Sequence, residues 1–284
     1  MSLTSFLDDK EVKQKFKETF RMPKLDFNKE IKLQPATKNF TIMGIAFDYL
    51  FRCYIKKLNN MSDYIALKAE NVVRILNSNQ RAECLTLIRM TKQAMDEYFS
   101  INGINNELLI LLLQISHYDI VYRTGRVDYL PGDIGKVNTN DVIDLKRLYN
   151  LLQDEKWKCK NTCLLNPVFG DASLLVNGAD ADLIMDDMLI DIKVTTQPGI
   201  TREFYNQLIG YYILNRIVSL QNNNRNMISR LGVYSARYGE LISFDVNGVI
   251  NENAFNDFCR WFIEKAGKFY NHPGDFISKL LSYF

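Results

Sequence analysis

The stretch GADADLIMDDMLIDIKVTTQ, residues 178–197, sets aspartates against two short runs of Leu, Ile, Met and Val. The runs have strand length, and Asp186-Asp187 between them marks a turn, so the stretch predicts a β-hairpin of strands 179–185 and 188–194. In that register Asp182 faces Asp191 and Asp180 faces Lys193, with opposed Cβ atoms roughly 4.5–5.5 Å apart. Alternation gathers these four charged side chains on one face. The other face, from Ala179 and Ala181 through Leu183, Met185, Met188 and Ile190 to Ile192 and Val194, is wholly apolar. Burying an ionised carboxylate costs several kcal/mol unless it is paired or holds a metal, so this hairpin constrains chemistry as well as fold.

Around the hairpin the chain changes texture. The first 155 residues read as helices: 41–60, then 62–77 with Ser62 or Asp63 as cap, 80–100, 106–123, and a short helix to about 152 capped by Asn140 or Asp141. The segment RTGRVDYLPGDIGKVN, 123–138, carries the Gly and Pro of a loop. Residues 166–194 alternate like strands. They are followed by a helix over 201–220, a polar loop SLQNNNRNM, strands in ISRLGVYSARY and ELISFDV, and a helix over 253–269. The expected class is α+β, a central mixed sheet flanked by helices. One domain spans 1–284, with core elements at about 41–60 and 166–246, a helical insertion at 62–153 and a helical end at 253–284.

Composition removes other classes. No run of about 18 apolar residues is present and MSLTSFLDDKEVKQKFKETF is too polar for a secretory signal, so a cytoplasmic protein with no membrane partner is expected. The five cysteines are an odd number and suit free thiols. Cys159 and Cys163 in KCKNTC have no second pair nearby, and there are two histidines in all, so neither zinc nor Ser/His or Cys/His catalysis is expected. No Gly-rich phosphate loop ends in Gly-Lys-Ser/Thr, so no nucleotide cofactor is expected. With a net charge of +2, any basic footprint must be local. Lysines 10, 13, 15, 17, 24, 29, 32 and 38 alternate with acids near the N-terminus, as on a solvated helix face or a phosphate-contacting arm.

Opposed carboxylates repel unless a cation lies between them, and a few hard oxygen ligands suit Mg²⁺ or Mn²⁺. A lysine beside them could neutralise a phosphate or orient water, which fits phosphodiester hydrolysis. With Asp182 in GADADLIM, Asp191-Ile192-Lys193 in LIDIKVT, and Gln207 and Tyr211 in NQLIGYYIL, the sequence resembles the PD-(D/E)XK nuclease superfamily and its RecB-like exonuclease branch. The resemblance implies a restriction-endonuclease-like core acting on DNA. Asp182, Asp191 and the Ile192 carbonyl would bind Mg²⁺ or Mn²⁺, Lys193 would serve the attacking water, and Gln207 and Tyr211 would face the site or the DNA. Asp180 is the alternative to Asp182.

In MGIAFDYLFR, Gly44 fits the family's upstream helix, whereas Asp48 stands in place of its His and Arg52 in place of its Glu. Asp48 is thus either a further ligand or an i,i+4 partner of Arg52. The iron-sulfur cluster of some RecB-like nucleases is not expected, because only Cys259 lies near the C-terminus. Two other readings stand beside the nuclease: a DNA-binding or assembly module that has lost turnover, and a glycosyltransferase using Asp180-Ala181-Asp182, which lacks a preceding nucleotide-binding βαβ unit.

Overall fold

In the computed structural model, which describes residues 2–222 and 228–284, the hairpin forms in the expected register: Leu183 pairs with Ile190, Ile184 with Leu189 and Met185 with Met188. The described elements are α1 (Leu3–Leu7), α2 (Lys10–Thr19), α3 (Phe40–Leu58), α4 (Ala69–Val72), α5 (Ser78–Ser100), α6 (Asn106–Thr124), α7 (Thr139–Tyr149) and α8 (Asp154–Trp157). Then follow β1 (Cys163–Leu165), α9 (Gly170–Leu175), β2 (Leu183–Met185), β3 (Met188–Lys193), α10 (Arg202–Gln221), β4 (Arg230–Ser235), β5 (Glu240–Asp245), α11 (Glu252–Tyr270) and α12 (Gly274–Leu281). Residues 223–227 of the expected polar loop lie outside the described residues.

The fold is α+β. Its five-stranded mixed sheet runs β1-β2-β3-β4-β5, with only β3 and β4 parallel. That parallel pair requires a crossover, which α10 supplies. Both faces of the sheet are covered. Met188 and Ile190 pack with α3, α5, α6 and α7 in one buried cluster, while Ile184, Leu189, Leu231 and Val233 pack with α1, α10 and α11 in a second. Asp191 follows Leu189 in the alternation of β3, so its side chain turns toward the α10 side. The helices between 62 and 153 belong to the first cluster and cap one face of the sheet. No helix among the described residues is long and apolar enough to cross a membrane.

Several expectations are corrected. Residues 173–176 are not a strand: Ser173 accepts a hydrogen bond from the Phe169 N–H and donates to the Ala179 carbonyl, closing the turn of α9. Only 183–185 of the expected strand 179–185 join the ladder, because the chain bends at Asp182 and Asp180 makes an isolated bridge to Val168. Ala179 and Ala181 therefore pack in the α10-side cluster and not with Leu183 and Met185. Residues 62–68 have no regular structure, and the expected helix there is reduced to α4 and a 3-10 turn at Val73–Ile75. Helix α7 is capped by Asn138, whose side chain accepts from Asn140 N, in place of Asn140 or Asp141. Strand β1, unforeseen, lies within the cysteine segment.

Two aspartates of the hairpin serve the turn itself. Asp186 takes up a left-handed conformation, φ 53°, and accepts from the N–H groups of Lys160, Asn161 and Thr162. Those backbone donors hold its carboxyl below the usual range. Asp187 accepts from Arg230 at 2.7 Å, which with Ser229 pulls its pKa down to about 2. An Asp-Asp turn is thus stabilised by partners on β4 and before β1, not by intrinsic turn preference.

Candidate active site

The remaining acids of the stretch meet elements from both sides of the sheet. Asp182 lies just before β2, and its Oδ2 accepts a hydrogen bond from the Ile192 N–H at 2.6 Å. A side chain thus replaces the backbone ladder where the strand has bent away. Ile192, whose carbonyl the resemblance assigns to the metal, is the donor of that bond. Asp191 is 1% exposed on β3, and its Oδ2 lies 2.7 Å from Lys193 Nζ, an ion pair not aligned as a hydrogen bond. Lys193 Nζ also donates to Gln207 Oε1 at 3.0 Å, and Gln207 Nε2 donates to Tyr211 Oη at 2.8 Å. Gln207 and Tyr211 therefore share one face of α10, as their i,i+4 spacing requires. Tyr211 is stacked on Phe169 with ring centroids 5.8 Å apart.

Helix α3 adds Asp48. Its Oδ2 accepts from Arg52 at 2.6 Å, the i,i+4 pair foreseen, while its Oδ1 is buried without a hydrogen-bond partner. The Asp48 charge acts on both Asp182 and Asp191. Burial, then Asp191 and then Asp48 push the Asp182 carboxyl well above the usual range. Burial also raises Asp191 despite the opposing Lys193. For Lys193 burial works downward, but Asp191 and Asp182 overcome it and hold the ammonium more firmly charged than usual. Burial, with the same two carboxylates, keeps the Tyr211 phenol protonated well beyond its ordinary value.

Asp180 does not face Lys193. The bend at Asp182 breaks the register that would have opposed them, and Asp180 pairs instead with Lys68 at 3.0 Å. Lys68, then Asn166 and then Arg123 offset the upward effect of burial and leave the Asp180 carboxyl below its usual range. Behind this pair, Tyr49 Oη donates to Asp119 at 2.6 Å and accepts from the Lys68 N–H, and the Arg52 guanidinium lies 4.5 Å from the Tyr49 ring centroid. Burial raises the Asp119 carboxyl to about 6 although Tyr49 and Arg123 oppose it. Lys68, Asp119 and Arg123 were not foreseen. The available signal was Asp119 within the apolar run LLILLLQISHYDIVYR, with Arg123 four residues on.

Among the described residues, no three His, Cys, Asp or Glu side chains are already drawn together as a metal-binding group. Each carboxylate has its own partner: Arg52 for Asp48, the Ile192 N–H for Asp182, Lys193 for Asp191. The donor set nonetheless fits a hard divalent cation. Half-buried Asp182 is raised by burial, Asp191 and Asp48, and buried Asp191 by burial and Asp48, while an oxygen of Asp48 has no hydrogen-bond partner. Excess buried negative charge of that kind is what a bound cation relieves. Searches of protein-family models, curated proteins and solved structures return no match to this chain.

Proposed function

We propose that this protein is a Mg²⁺- or Mn²⁺-dependent nuclease that hydrolyses phosphodiester bonds in DNA. The observation that carries the reading is the chain in which Asp191 is ion-paired with Lys193 and Lys193, Gln207 and Tyr211 are joined by hydrogen bonds, beside Asp182. It unites the three separated sequence motifs in one place. Asp182 and Asp191, with the Ile192 carbonyl and Asp48 beside them, would hold the cation; when bound, it stabilises charge on phosphoryl oxygens and acidifies a coordinated water. Lys193, held by Asp191 and Gln207, offers a positioned ammonium to a phosphate oxygen or to the attacking water. Tyr211, buried against Phe169, keeps Gln207 in the rotamer that holds Lys193. Action on ends or flaps, in repair, restriction or defence, follows from the RecB-like resemblance.

The test is cleavage of labelled linear and circular DNA, single- and double-stranded, by wild type and Lys193→Ala with Mg²⁺, Mn²⁺ or EDTA. The expected result is metal-dependent loss of linear DNA, reduced on the order of 100-fold or more in the variant. A second reading, a DNA-binding module without turnover, is favoured by one observation: Arg52 already occupies Asp48, so the third acid is engaged before any metal arrives. A folded wild type that binds DNA and cleaves none of these substrates with either metal would select it.

A further inference from the structure

Between α2 and the first turns of α10 lies a cavity of about 510 Å³, within the size range of ligand sites. One wall carries Lys10, Lys13 and Lys17, and the opposite wall carries Arg202. Two carboxylates, Asp8 and Glu203, also line it, and Asp8 is already taken by Lys13 at 2.9 Å. The cavity therefore has surplus positive charge on a chain whose net charge is only +2.

Its inner end has a different chemistry. Asn206 is 4% exposed and its Oδ1 has no hydrogen-bond partner, a buried acceptor on a residue that lines the cavity. Phe204 lines the same end, with Lys193 Nζ 5.1 Å from its ring centroid. Gln207, which holds Lys193, lines it too, so the cavity adjoins the candidate active site. The close approach of the N-terminal helices depends on Gly210: a Cβ there would come within 3.1 Å of Leu3 Cδ1 and 3.4 Å of Leu7 Cδ1.

We propose that this cavity receives an unpaired stretch of single-stranded DNA next to the scissile phosphate, an assignment that rests on the nuclease reading above. Lys10 and Lys17, with Arg202, whose guanidinium also donates to the Phe20 carbonyl at 2.9 Å, track phosphates, the Phe204 ring stacks on a base, and the Asn206 amide oxygen accepts from a base N–H. Such a combination of basic groove and aromatic platform suits single strands, because every unpaired base has a free π-face. A duplex keeps its bases stacked and cannot enter a space of this size. Of the N-terminal lysines, Lys10 and Lys17 are on this assignment phosphate contacts and not merely part of a solvated face.

The experiment measures binding of a fluorescently labelled oligothymidylate to the full chain in EDTA, by anisotropy across a salt series, with a duplex of equal length for comparison. Lys10 and Lys17 are exposed, so Lys10→Ala/Lys17→Ala leaves the core untouched. That double variant is expected to bind on the order of tenfold more weakly, with the salt slope reduced by about 1.4. Phe204→Ala, checked for folding by circular dichroism, is expected to lose about fivefold or more with the slope unchanged. Lys136→Ala, which removes a charge outside the cavity, is the control and should bind like wild type. Unaltered affinity and slope in both cavity variants, or equal binding of duplex, would overturn the assignment. Cleavage with unaltered binding removes the cavity and leaves the nuclease; lysine-dependent binding without any cleavage removes the nuclease and leaves the cavity.

Discussion

At the scale of single residues, the charge in the 178–197 stretch divides into two uses. Asp186 and Asp187 are satisfied by backbone donors and Arg230, so they hold the turn. Asp191 has a buried oxygen without a hydrogen bond, and the carboxyls of both Asp182 and Asp191 are raised. A carboxylate raised above its unfolded value near 4 contributes stability that is complete below that value and is lost as pH rises through the folded pKa. The metal-free protein should therefore lose stability from about pH 4 upward as these groups ionise. Asp182→Asn keeps an oxygen to accept from the Ile192 N–H while removing the repulsion. Thermal unfolding in EDTA is expected to give a higher Tm for Asp182→Asn than for wild type at about pH 8, with the gain vanishing toward about pH 4. An equal Tm at both pH values would mean that the Asp182 charge imposes no strain. The same variant should be inactive, the usual conflict between a strained site and a stable fold.

At the scale of elements, the sequence made legible whatever its own periodicity determines. Helices α3, α5, α6 and α10 and the β2–β3 register were readable because each carries a continuous apolar pattern or a defined turn. The misreadings occur where tertiary partners decide: Ser173 closes α9 through two hydrogen bonds that no local pattern announces, and Asp182 bends the chain by capturing a neighbouring strand's N–H. Arg237 and Asp144 are another such pair, joining the β4–β5 turn to α7 through two bonds of 2.8 Å while almost wholly buried. Arg237→Ala leaves Asp144 buried and uncompensated, and should cost about 3–5 kcal/mol in urea unfolding. Arg237→Met with Asp144→Leu restores apolar volume without stranding a charge and should recover most of that loss. A double variant as unstable as the single one would show that the ion pair itself, not the stranded charge, sets the cost.

At the scale of the whole molecule, the site draws on segments remote in sequence: Asp48 from α3, Asp182 and Asp191 from the hairpin, Gln207 and Tyr211 from α10. The motif residues were legible together because they are close in sequence and regularly spaced. Lys68, Asp119 and Arg123 were not, since only the packing of α6 and of the segment around Lys68 brings them near. An assembly of this kind couples metal binding to folding. A divalent ion bound by the native state alone stabilises it by about 2.7 kcal/mol at a hundredfold excess over its dissociation constant. The ligands must first lose their protons, and the raised Asp182 and Asp191 carboxyls retain them to higher pH than ordinary aspartates. Mg²⁺ or Mn²⁺ is therefore expected to raise Tm over EDTA, by more at about pH 8 than at about pH 5. Calorimetric titration at these two values should record proton release on binding at the lower one. Asp182→Asn should lose most of the metal-induced increment because one anionic ligand is gone. An increment independent of pH, or retained in full by Asp182→Asn, would place the cation away from these carboxylates and leave their charge without a counter-ion.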